Sequence, residues 1–212
     1  MTTNSDSRRC GDHMSWTAKE FGASHEGVPV ALLADGSEPK PVYFDAGSGG
    51  GGKTVSDWWI YDGQSRAPLA THLRSSCACG WRGEQRYVLD WSEMIDSPCD
   101  IDISGPREDW KRHIEEVRAR TVPLPVELEA LLERLEQQIS ALADDAPLAA
   151  LRAVAALERI TEDIAPHAAC AAEADDLSWS TIATALGLTE KEAQSRLLHH
   201  QLKGMGSRRV RL

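Results

Sequence analysis

The chain has 212 residues, 42% of them hydrophobic and seven of them tryptophan, enough apolar material for one large domain or two small ones, which excludes wholesale disorder. No apolar run approaches the ~20 residues of a membrane span, and the opening MTTNSDSRRCGDHM holds no apolar signal core, so a cytoplasmic chain with no membrane partner is expected. The net charge of −10 argues against a nucleic-acid partner unless positive charge is concentrated somewhere. It is concentrated: from Ser178 to Leu212 six basic residues stand against two acidic ones, a balance of +4 that leaves −14 for the rest.

Residues 1–24 are polar and turn-rich at the start and are expected to be loose. They contain Cys10 and His13 at C-x-x-H spacing, a weak metal signal on its own. From Val28 to Asp90 short β-type runs follow one another: VPVALL, PVYF, DWWIY and RYVLDW. Asp35-Gly36 and Asp62-Gly63 punctuate them as hairpin-turn dipeptides, glycine tolerating the positive φ such turns require. The spacing predicts an antiparallel meander.

Gly47 to Thr54 formally matches the phosphate-binding G-x-x-x-x-G-K-[ST]. That loop needs a helix after its lysine, to offer backbone amides to phosphate. Here TVSDWWIYDG follows, β-branched and aromatic, so the stretch reads as a loop between two strands.

Cys77-Ala78-Cys79-Gly80-Trp81 carries more specific chemistry. Two thiolates one residue apart on a tight turn supply half of a zinc site, and in a reducing cytosol metal is a better use of paired cysteines than a disulfide. His113 is a candidate third ligand, because Pro106 to Arg120 reads as a helix with Trp110, His113, Ile114 and Val117 on one face. The fourth is Cys99, His72, or the pair Cys10 and His13. The C-x-C-G-W run, followed at a distance by W-x-x-H, resembles treble-clef or ribbon-like bacterial zinc modules. The metal is expected to be structural zinc, since no H-E-x-x-H or H-x-E with P-C-x-x-C supplies a general base beside an open position. No catalytic set is visible, and the chain is read as a non-enzyme.

Pro123 and Pro125 mark a stiff linker. Beyond it Leu128, Leu131, Leu132, Leu135, Ile139 and Leu142 recur at threes and fours, an amphipathic helix with Glu127, Glu129, Glu133 and Glu136 mainly outside. After Asp144-Asp145-Ala146-Pro147 a second helix runs through Leu148, Leu151, Val154, Leu157, Ile160 and Ile164, and Pro166 is expected to kink or break it. The short turn makes the two an antiparallel hairpin. Its apolar stripe is left to be covered by the segment that follows, or by the same hairpin of a second copy, giving a homodimer.

That following segment, Asp176 to Leu197, reads as two short helices. Ser178 is an N-cap, with Trp179, Ile182, Ala183 and Leu186 on one helical face, and Gly187 is a stop. Thr189 and Glu192 then form a capping box, ahead of Ala193 and Leu197. The run resembles the helix-turn-helix of bacterial regulators and of the promoter-reading end of sigma factors, where W-x-x-I-A-x-x-L-G-L-[ST] is frequent. The resemblance covers about the last quarter of the chain and implies double-stranded DNA as a partner. Thr189, Lys191, Gln194, Ser195 and Arg196 would then enter the groove, with Arg208, Arg209 and Arg211 on phosphate or the minor groove. Glu190 and Glu192 depart from the family's basic or amide residues.

The expected fold is therefore α+β. A loose segment (1–24) leads to an antiparallel β-rich, zinc-binding domain (25–120), then a linker and acidic helical hairpin (121–176), a helix-turn-helix (177–202) and a basic tail (203–212). The reading is a bacterial DNA-binding transcriptional regulator, or transcription-associated protein, whose tryptophan-rich β domain senses a ligand or binds a protein. The alternative is a protein-interaction adaptor with structural zinc and no DNA.

Overall fold

A computed structural model describes residues 15–44 and 52–208, with backbone alone for Phe44 and 203–208. The chain is α+β: a small antiparallel β region comes first and helices follow. It divides into two compact units, Met1–Ala119 and Arg120–Leu212. No described helix is long and apolar enough to cross a membrane.

In the first unit β1 (Gly27–Leu32), β4 (His72–Cys77) and β5 (Tyr87–Val88) form an antiparallel sheet in the order β1-β4-β5, with Gly27 opposite Cys77 and Leu32 opposite His72. β2 (Val42–Phe44) and β3 (Lys53–Val55) make a separate ribbon. Lys53 and Thr54 thus lie in a strand and do not open the helix that a phosphate loop requires. Helix α1 (Ser104–Arg120) closes the unit, its first turn capped by the Asp102 carboxylate accepting from Ser104 N–H at 2.8 Å.

Three expectations change here. The central strand, β4, was not anticipated, because its buried face is filled by Ser75 and Cys77 as well as Leu73 and shows no apolar alternation. DWWIY is not a strand: Trp58–Ile60 is a 3-10 turn. At three residues per turn positions i and i+3 coincide, which sends Trp58 and Tyr61 together into the core. Residues 15–24 are packed, with Trp16 and Gly27 exchanging two backbone hydrogen bonds of 2.8 Å and Phe21 buried; 1–14 lie outside the described residues. Both Asp-Gly pairs do turn the chain, Gly36 and Gly63 sitting at φ +83° and +80°.

The second unit is helical: α2 (Val126–Asp145), α3 (Pro147–Ala174), α4 (Trp179–Leu186) and α5 (Glu190–Arg208). α3 packs against α2 and α5, and α4 against α5. α3 continues through Pro166 to Ala174 instead of breaking. The cost of an interior proline is about 3 kcal/mol, and packing beyond it offsets that, Ala169 being buried with Ile182, Ala183, Leu188, Ala193 and Leu197. Trp179 and Leu186, expected on the buried face of α4, are exposed, since a helix of eight residues makes only a narrow contact.

Candidate metal centre and helix-turn-helix

Four side chains converge at one end of β1 and β4. His25 ends the 3-10 turn Gly22–His25 just before β1, Cys77 ends β4, Cys79 follows in the turn, and His113 comes from α1. Their ligand atoms all lie within 4.8 Å of one another. Cys77 Sγ is 3.5 Å from His25 Nδ1, and Cys79 Sγ is 3.4 Å from His113 Nε2. Metal bonds of about 2.0–2.3 Å, set tetrahedrally, require donor separations of about 3.3–3.8 Å. The closest pairs meet that requirement.

Backbone geometry explains the convergence. Cys77 N–H donates to Trp81 C=O at 3.0 Å and Gly80 N–H to Cys77 C=O at 2.9 Å, folding the chain into a knuckle. Gly80 sits at φ +97°, where a side chain would be strained. Ala78 N–H donates to Glu26 C=O at 2.8 Å, which fixes the knuckle beside His25. On the helix side Trp110 Nε1 donates to His25 C=O at 3.1 Å, and its ring lies on Gly27, where a Cβ would come within 2.4 Å of it. One turn later His113 stacks on Trp81, centroids 4.4 Å apart and planes within 7°. A second anchor, Tyr87 donating to the buried Asp109 at 2.8 Å, ties α1 to β5.

The site is largely closed to water: His25, Cys77 and His113 are buried and Cys79 is half-buried, within a cluster of Trp16, Ala18, Phe21, Trp110 and Ile114. A hydrogen bond donated by the Cys77 thiol outweighs burial and, aided by His113, lowers the Cys79 thiol to about 4. Sharing that proton, together with burial, pushes Cys77 up. Two cysteine sulfurs and two imidazoles are a set of soft and borderline donors suited to a divalent cation of the zinc type.

Of the residues singled out from sequence, Cys77, Cys79 and His113 come together, and Cys99 does not join them. Cys99 lies in the turn Pro98–Asp100 and is disulfide-bonded, which removes its thiolate from the ligand pool. His72 is at the far end of β4, its Nδ1 2.9 Å from Thr71 Oγ1. Cys10 and His13 lie outside the described residues. His25 takes the fourth place. Its sequence signal was slight, a histidine with no neighbouring ligand, and only the β1–β4 pairing reveals it.

In the second unit Ser178 Oγ accepts from Thr181 N–H at 3.1 Å, and α4 stops at Gly187, φ +62°. Thr189 N–H donates to Glu192 Oε2 at 3.1 Å, while Glu192 N–H donates to Thr189 Oγ1 at 3.3 Å. Ile182, Ala183, Ala193 and Leu197 seal the angle between the helices. On α5 Lys191, Ser195 and Arg196 are exposed and Gln194 half-buried, as is Thr189 just before the helix. The Glu192 carboxylate, held on the Thr189 N–H and hydroxyl, is engaged in the cap. Glu190 is exposed. The Arg208 side chain, Arg209 and Arg211 lie outside the described residues.

No protein-family model matches this chain, and neither a curated protein nor a solved structure matches it.

Proposed function

We propose that this chain is a DNA-binding, transcription-associated protein, not an enzyme, whose first unit is held together by structural zinc and whose second presents α5 to the major groove. The observation that carries the DNA reading is the capped, glycine-turned pair α4–α5 with Lys191, Ser195 and Arg196 exposed on its second helix. A short helix packed on a second through Ile182, Ala183, Ala193 and Leu197, with a polar outer face on the second, is what groove entry needs. The basic C-terminal stretch adds phosphate contacts on a chain that is acidic elsewhere. Two cysteines and two histidines from the protein would supply all four ligands of a structural zinc, which supports a structural role.

The test is fluorescence anisotropy of labelled duplex DNA titrated with the full chain at low and moderate salt. About four phosphate contacts predict a loss of roughly a hundredfold in affinity for a fourfold rise in salt. Lys191→Glu with Arg196→Glu should abolish binding and leave the helical circular dichroism unchanged. Absence of binding at low salt rejects the reading. The exposed Glu190 at the start of α5 favours the second reading, a protein-interaction adaptor, because a carboxylate there repels phosphate.

A further inference from the structure

We propose that the metal centre is also a redox switch: hydrogen peroxide oxidises Cys79, Cys77 closes on it as a disulfide, and the cation leaves. The inference rests on the structural-zinc reading above and adds to it a reaction of two of the ligands. Access singles out Cys79. His25, Cys77 and His113 are buried, whereas Cys79 is half-buried and its neighbours Ala78 and Gly80 are exposed. A methyl group placed on Gly80 would meet nothing within 4 Å, so the knuckle is open to solvent on that side. Proximity supplies the second sulfur. The Cys77 and Cys79 sulfurs lie within 4.8 Å of each other. Residues i and i+2 are at most about 7 Å apart at their Cα atoms, against the ~4.4–6.8 Å that a disulfide spans. Cys99 is already disulfide-bonded, so among the described residues of the first unit these two are the free thiols.

The reaction balances with peroxide and two protons alone. The Cys79 sulfur attacks a peroxide oxygen; the S–O bond forms, the O–O bond breaks, and the leaving hydroxide takes a proton to become water. Cys79 is then a sulfenic acid, oxidised by two electrons, and condenses with a neighbouring thiol. Cys77 attacks that sulfur, the S–S bond forms, the S–O bond breaks, and hydroxide leaves to become a second water. Overall, two thiolates, hydrogen peroxide and two protons give one disulfide and two waters. The disulfide is no longer a ligand, because the thiolate is the form of cysteine that binds metal. Two imidazoles remain, half of a tetrahedral zinc shell. With the cation goes the link between the knuckle, the turn before β1 at His25, and α1 at His113.

Treating the full, zinc-loaded chain with hydrogen peroxide beside a metallochromic indicator tests it. The expected result is release of the zinc, a peptide spanning Cys77 and Cys79 lighter by two hydrogens than in the reduced chain, and recovery of zinc binding after dithiothreitol. A Cys79→His chain keeps four donors without the second sulfur, and should release its zinc at least tenfold more slowly. Zinc retained through peroxide overturns the proposal. So does a cysteine peptide heavier by two or three oxygens with no disulfide, a reading on the unaltered chain that needs no variant. A chain that takes up no zinc at all fails the structural-zinc reading itself, and this proposal with it.

Discussion

The first unit turns its chemistry inward and the second turns it outward. Around the knuckle, four donors from three separate stretches meet among buried aromatic rings; in the hairpin, the amphipathic α2 buries no residue fully, Leu135, Ile139 and Leu142 being half-buried and Leu128, Leu131 and Leu132 exposed. A cation held by those four donors would stabilise the first unit by mass action, whereas the second leaves Leu128, Leu131 and Leu132 of its stripe exposed. The difference teaches where to look for failure: in the first unit at single ligands, in the second at caps and faces.

The largest effect should come from the cation. Chelation, or Cys77→Ser, should unfold the first unit and leave the second helical, because the binding free energy of structural zinc, about 10–16 kcal/mol in small fingers at neutral pH, is folding free energy. Near-ultraviolet circular dichroism reads the tryptophans of the first unit, and far-ultraviolet signal the helices of the second. Loss of both together would erase the contrast. Acid should act in the same direction: thiolates and neutral imidazoles bind metal and their protonated forms do not, so affinity falls as pH falls. Cobalt substitution would report this as a bleaching of the thiolate-to-metal absorption.

Next in size is Gly27→Ala. The added methyl meets the Trp110 ring at 2.4 Å, and overpacking of this kind costs about 1–3 kcal/mol. Denaturant melts should show it together with weakened metal affinity, since Trp110 places both His25 and His113. In the second unit Thr189→Ala removes the cap on α5 and should cost about 1 kcal/mol, leaving metal affinity untouched. Smallest is Glu38→Gln. Glu38 is partly buried, which raises its pKa, but hydrogen bonds and charge from Arg74 and Arg82 hold it below the usual carboxylate range. Its contribution is present above the unfolded-state value and lost as pH falls through the lower folded one. As an ion pair near the surface it should amount to a few tenths of a kcal/mol, read as a flattened acid limb in a pH series of melting temperatures.

The helical half was the more legible in sequence, because its signals are local. Ser178, Gly187, Thr189 and Glu192 each act on backbone within a turn of themselves, and the structure places all four where those local rules put them. Pro166 misled because the rule for an interior proline is also local, whereas Ala169 beyond it is held by α4 and α5. In the first unit the knuckle and α1 were readable, but β4 hid behind buried serines. Without β4 there was no pairing to carry His25 to Cys77. A ligand that depends on a strand partner 52 residues away leaves no mark in its own neighbourhood.

The same separation governs when the site can form. The two cysteines lie on one turn, but one histidine is 52 residues upstream of Cys77 and the other 34 downstream of Cys79. Two long loops must close before four ligands surround the cation, and each closure costs entropy that local contacts do not repay. An unfolded chain would offer a metal only the two neighbouring cysteines, and so a weaker site. All four ligands would surround a cation only once β1 has paired with β4 and α1 has docked, so metal exchange would report on closure of the unit.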